Sequence, residues 1–179
     1  MLGFYPHTHS LNSDGLVLFD DKRWEHYNLY NVRYVVAPEG LKLPNFARPI
    51  QKFGRHRLYQ VETSGYFDLV GGDQTFAGDR SGFFQGVSSW LASDLSSVKQ
   101  HPVVSIGGSG RIGGGAEPLP LAQSGNLIKE LEVSSGSPRG RMAGQEVGAN
   151  VFATGVNVER ESLLILKVTY HPNWRATVD

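Results

Sequence analysis

The sequence predicts an α+β fold that is predominantly β, a jelly-roll-like β-sandwich with one or two helices. Three observations predict it. Short runs rich in β-branched and aromatic residues recur along the chain, bounded by Gly, Pro, Ser and Asn. One stretch, SGFFQGVSSWLASDLSSVKQ, spaces its apolar residues by three and four instead of two. The closing third, 127–179, alternates apolar and polar residues as sheets packed face to face do.

In chain order, Asp20 and Asp21 precede KRWEHYNLYN, where Trp24, Tyr27 and Tyr30 recur every third residue. Acids favour a helix N-terminus, so a short helix is expected at about 22–31. RYVVAP reads as a buried strand over 33–37 closed by Pro38. HRLYQVE (56–62) and YFDLV (66–70) read as strands joined by the turn-forming TSG at 63–65, a hairpin. Phe84, Val87, Leu91, Leu95 and Val98 form one apolar stripe, which predicts a helix at about 82–99 ended by Pro102. Residues 107–126, GGSGRIGGGAEPLPLAQSGN, have the backbone entropy and missing donors of a long irregular loop. LIKELEV (127–133) is a candidate strand, and in NVFATGVNV the residues Phe152, Thr154, Val156 and Val158 share one face. SLLILKVTY is apolar on both faces at first, with Lys167 and Thr169 emerging later, so it is expected to lie centrally at its start and half-exposed at its end. The organisation expected is one domain, 1–179, with a mixed α/β part (1–106), the Gly/Pro-rich loop (107–126) and a β-sandwich part (127–179).

A chain of 179 residues with 40% hydrophobic content can fill a core without staples. It has no cysteine, which excludes disulfides and thiolate metal sites. Seventeen basic residues balance seventeen acidic ones without a long block of either sign, so no nucleic-acid partner is expected. Apolar runs such as Leu163–Leu166 fall far short of the ~20 residues that span a bilayer, and MLGFYPHTHS lacks the basic and apolar regions of a secretory signal. The chain is therefore expected to be soluble, and its export to depend on sequence outside it.

The motif HTHSLNSDG, residues 7–15, resembles the opening of PHP-type metal phosphoesterases, since His7 and His9 in a strand would point the same way and could share a metal ion. The pair follows Pro6 rather than an apolar strand, however, and His26, His56, His101 and His171 stand in no ExH or DxH arrangement. A polar loop is the better reading, and no metal or cofactor is expected. Serine never occurs in GxSxG, the glycines never spell GxGxxG, and no catalytic residue is assigned. Carboxylate pairs such as Asp20/Asp21 and Asp68/Asp73 cannot be placed across a cleft from sequence. Aromatic side chains can stack on the apolar faces of sugar rings, and Trp24, Tyr66 and Trp174 are the candidate carbohydrate-binding residues. Trp90 belongs to the helix stripe, hence to the core.

Three segments, LYNVRYVVAP, RLYQVETSGYFDLV and LLILKVTYHPNWRATVD, resemble the extracytoplasmic C-terminal region of large multi-pass bacterial membrane proteins, the YfhO-like family and related GT-C-type glycosyltransferases. In that family a helix leads into an N-V-R/K-Y-V strand, matched here by Asn31, Val32, Arg33, Tyr34 and Val35. A later strand runs into Y-x-P-G-W-x-A-x-V-D-G, matched by Tyr170, Pro172, Trp174, Ala176, Val178 and Asp179. Asn173 stands where glycine is usual, a replacement that left-handed turn geometry permits. The resemblance implies a domain on the extracytoplasmic face of the bacterial plasma membrane. Its expected partners are the membrane-embedded remainder of the same polypeptide and a glycan or lipid-linked sugar; it would be inactive alone, because the family's catalytic carboxylate lies between early membrane helices. A free-standing carbohydrate-binding module is the alternative, and a PHP-like phosphoesterase fragment the third reading. The family pattern runs past Asp179, and Trp174, Ala176 and Val178 alternate like the inward side of a strand. Weak self-association through an unpaired C-terminal edge is expected from that.

Overall fold

The computed structural model describes residues 18–78, 80–106, 139–169 and 171–178, with backbone alone at 73–78, 80–85 and 104–106. In these residues the chain runs α1 (Trp24–Leu29), β1 (Tyr34–Pro38), β2 (Ala47–Phe53), β3 (His56–Val61), β4 (Phe67–Gly78), α2 (Arg80–Ala92), β5 (Gln100–Ile106), β6 (Gly140–Val147), β7 (Phe152–Val158) and β8 (Leu163–Leu166). The class is α+β and mostly β, as expected. The strands form a β1-β3-β2 sheet, a β5-β4-β8 sheet and a β6-β7 pair. A jelly-roll-like sandwich finds no support among the described residues.

The first sheet is antiparallel throughout. Its tight turn places Gly54 at φ +56, between the paired Phe53 and His56. Such turns need a residue that tolerates positive φ, and glycine does so without strain. Pro49, which cannot donate to a ladder, lies on the edge strand β2 next to a register shift. Asn31 takes φ +50 just past α1, the left-handed position that ends many helices. The inner face of this sheet packs Ala37, Ala47, Tyr59 and Val61 against Tyr27 of α1.

The second sheet is built on a crossover. β4 and β5 are parallel, and parallel neighbours require a long connection, supplied here by α2 and the turns after it. The helix ends at Ala92, ten residues before Pro102. Serine hydroxyls stop it: Ser93 Oγ donates to the Trp90 carbonyl (2.6 Å) and Ser97 Oγ to the Asp94 carbonyl (2.6 Å), so the backbone folds into turns that finish at Lys99 with φ +56. Pro102 lies inside β5, at the edge of this sheet among the described residues, the place where a strand tolerates a missing donor. Trp90 (7% exposed), Leu91 and Leu95 form the core here, with Val87 beside them; the Phe84 side chain lies outside the described residues.

Three further expectations need correction. The strands at 56–62 and 66–70 are not a hairpin, because β3 pairs with β1 and β2 whereas β4 pairs with β5 and β8. Among the described residues β8 is an edge strand rather than a central one, with Leu163 and Leu164 43% and 44% exposed, and Lys167 beyond it turns inward. Residues 171–178 form no strand: His171 and Trp174 close a turn (3.0 Å), and Val178 is 97% exposed. The alternation of Trp174, Ala176 and Val178 thus has no sheet to face among the described residues. The 107–126 loop and the 127–133 strand lie outside them.

Candidate functional site

Two constellations combine several elements. The first is polar and centres on Asp68, near the start of β4. Its Oδ1 accepts from Lys99 Nζ (2.7 Å), and its Oδ2 accepts from Ser64 Oγ (3.0 Å) and Asn28 Nδ2 (3.2 Å). Lys167 Nζ lies 3.9 Å from the same carboxylate and donates to Ser64 Oγ (2.7 Å) and the Asn28 carbonyl (3.0 Å). The Lys167 side chain is only 3% exposed. Burial would raise the Asp68 pKa, but Lys99, Lys167 and Ser64 together hold it below the usual carboxylate range. Burial pushes Lys167 down to about 8 against the opposing pull of Asp68, and pushes His101, beside them, down to about 4.

A depressed lysine 2.7 Å from a serine hydroxyl has the composition of a nucleophile and its base. Geometry argues otherwise. Lys167 Nζ is surrounded by oxygen acceptors, as an ammonium requires, and Ser64 already meets the carboxylate and the Asn28 amide oxygen (2.9 Å). The adjoining space, lined by Asn28, Asp68, Lys99, His101 and Lys167, is about 10 Å³. That is close to the least volume that holds one water. The cluster is a buried pin joining α1, the 63–65 turn, β4 and the chain after β8.

The second constellation is aromatic. Tyr66 and Phe152, the first residue of β7, have ring centroids 5.0 Å apart at 51°, and Phe152 and Trp174 are 5.6 Å apart at 67°. Hydrogen bonds anchor the backbone at Tyr66 and the indole of Trp174, with Phe152 packed between the two rings. Gln145 of β6 accepts from the Tyr66 N–H (2.9 Å) and donates to the Ser64 carbonyl (2.7 Å), clamping the turn before β4. Gly65 sits there at φ +85, and a Cβ on it would run into the Gln145 amide. Trp174 is held by the turn at 171–174, by its indole N–H to the Thr169 carbonyl (3.3 Å), and by Arg175, whose Nη1 donates to the Pro172 and Trp174 carbonyls (2.9 and 3.0 Å). Tyr66 and Phe152 are half-buried, and Trp174 is 37% exposed.

Of the three sugar-binding candidates, the fold therefore unites Tyr66 and Trp174 and leaves Trp24 apart. Trp24 is exposed on α1 with its indole N–H on the Glu62 carbonyl (2.8 Å), and it makes no ring contact with the row. Phe152 is the member that sequence reasoning missed, because a phenylalanine in an alternating strand carries no signal beyond core or edge. HTHSLNSDG lies outside the described residues, as does the Asp73 side chain. Among the described residues no three His, Asp or Glu side chains group as a metal site would. No helix among them is long and apolar enough to cross a membrane. Neither a family model, a curated protein nor a solved structure matches this chain.

Proposed function

We propose that the chain is a glycan-contacting domain on the extracytoplasmic face of a bacterial membrane, part of a multi-pass glycosyltransferase that uses a lipid-linked sugar donor. It guides acceptor glycan to the membrane-embedded site or covers that site, and is not itself catalytic. The row Tyr66–Phe152–Trp174 carries the glycan reading. Rings packed edge to tilted face against one another, with the Trp174 indole also hydrogen-bonded, lose little entropy on binding, and aromatic faces complement the apolar faces of sugar rings. Interplanar angles of 51° and 67° make the row stepped rather than flat, which suits a twisted single glycan chain better than a crystalline sugar surface. The membrane-enzyme context rests on the resemblance of LYNVRYVVAP and LLILKVTYHPNWRATVD.

Titration of the ¹⁵N-labelled chain with soluble oligosaccharides tests the row. Shifts should concentrate at Tyr66, Phe152 and Trp174, and Trp174→Ala should weaken binding by about tenfold or more, as loss of one aromatic anchor does. Trp24→Ala should leave it unchanged. A panel of envelope-type oligosaccharides that shifts none of the three residues, or shifts Trp24 alone, would overturn the assignment. Deleting this domain from a membrane-bound transferase that contains it should impair glycan transfer; a lone short coding frame would instead favour the free-standing carbohydrate-binding module.

A further inference from the structure

We infer that the outer face of the β1-β3-β2 sheet, together with its β2–β3 hairpin end, is a docking surface for an anionic lipid bilayer. The registers align Tyr34 with Gln60 and Val36 with Leu58, and set Arg48 beside Gln60 and Phe53 beside His56. Paired residues share a face of the sheet, and this face is opposite the one that buries Ala37, Tyr59 and Val61 under α1. Its apolar members are open: Tyr34 is 55% exposed, Val36 66% and Phe53 51%, with Ile50 at the register shift 50%.

Charge is segregated on the same unit. Between residues 33 and 62 the chain carries Arg33, Lys42, Arg48, Lys52, Arg55 and Arg57 against only Glu39 and Glu62, in a protein whose basic and acidic residues balance to zero over its whole length. Glu39 engages Lys52 (2.6 Å) and Arg57 (3.8 Å), and Glu62 engages Arg48 (3.0 Å). Arg33, Lys42 and Arg55 are exposed and form no ion pair among the described residues. Exposed aromatic and aliphatic side chains on a unit with this cation surplus match the two attractions of an anionic bilayer, apolar insertion at the headgroup boundary and Coulomb attraction to the phosphates. A second copy of this face fits poorly, since two surfaces with the same cation surplus repel. The surface shares no residue with Tyr66, Phe152 or Trp174, so the inference can fail or hold independently of glycan binding.

Flotation of the 179-residue chain with vesicles tests it. Vesicles of phosphatidylcholine containing phosphatidylglycerol should carry the protein at low salt and release it at high salt, and phosphatidylcholine alone should carry at least about tenfold less. Lys42→Glu with Arg55→Glu, and separately Val36→Ser with Phe53→Ser, should each reduce binding by about tenfold or more. All these sites are exposed, and an unchanged melting curve confirms that each variant is folded. Equal flotation with both lipids, flotation with neither, or indifference to both variant pairs overturns the inference. So does binding of a random-sequence oligonucleotide, or dimerisation, that the same substitutions abolish while vesicles stay unbound.

Discussion

Lys167 places its ammonium among oxygen atoms of Asn28 in α1 and Ser64 in the 63–65 turn, with the Asp68 carboxylate behind them. Removing the charge from such a group leaves its acceptors buried and unpaired, a loss of about 3–5 kcal/mol for buried pairs. Lys167→Met keeps the aliphatic stem and should therefore lower stability to urea by that amount, whereas Lys99→Met, whose side chain is 48% exposed, should cost much less. His101 adds a pH dependence. Burial holds its pKa at about 4 in the folded chain against an ordinary 6.5, so the unfolded chain binds the extra proton first as pH falls. Stability should then decline from about pH 6.5 towards pH 4, and decline further as Asp68, whose folded pKa is lowered, is protonated. Urea midpoints across this range for the parent chain and His101→Gln check the first part: the variant should show a shallower slope between pH 4 and 6.5. Little of this was legible in the sequence. A lysine in an alternating strand reads as the solvent side, and only Asp68, far away along the chain, makes burial tolerable.

Among the elements, the stripe through Trp90 and Leu91 lies on a helix as read, and YVVA forms strand β1, though not the buried strand expected, since Tyr34 is 55% and Val36 66% exposed. The errors came from proline and from pairing. Pro102 reads as the end of a helix, yet it occupies β5, an edge strand among the described residues, where an absent donor is tolerated. The 63–65 turn looks like a hairpin because sequence shows that a chain turns but not which sheet it joins. Here Thr63 and Ser64 bond to Asn31 and Asn28 on the α1 side, which carries the chain out of one sheet and into the next. Two substitutions test these elements. Trp90→Ala should cost about 3–5 kcal/mol through the cavity it leaves and the lost indole bond to the Gln100 carbonyl (2.8 Å); a loss below about 1 kcal/mol would deny it a core role. Gly65→Ala should cost at least about 1 kcal/mol, because it strains a residue at φ +85 and displaces Gln145. It should also loosen the aromatic row, seen as faster flipping of the Tyr66 ring. Of that row, residue type alone had marked Tyr66 and Trp174; Phe152, the ring between them, is supplied by packing that only the fold reveals.

On the scale of the molecule, α1 does what its six residues would not suggest. It contributes Tyr27 to the core under the first sheet and Leu29 to the core around Trp90. Arg23, next to it, donates to the carbonyls of Leu91 (3.0 Å) and Ser93 (2.8 Å) at the end of α2. The buried His26 accepts the Asp20 N–H at Nδ1 (2.9 Å), which leaves its proton on Nε2, facing the Leu91 carbonyl at 3.1 Å. Asn28 completes the link by bonding Ser64 and Asp68. A helix this short is unstable alone, so its order and the union of the two cores depend on each other. The chain should therefore melt in one transition with calorimetric and van't Hoff enthalpies equal. Arg23→Ala with Asn28→Ala should split it into two, because each sheet keeps its own buried cluster while the Arg23 and Asn28 side-chain bonds that join them are gone and only weaker links such as His26 to the Leu91 carbonyl remain. Amide exchange should locate the split, with β1, β2 and β3 opening at one free energy and β4 and β5 at another. Two transitions in the parent chain, or a single one in the double variant, would mean that α1 is not what holds the halves together.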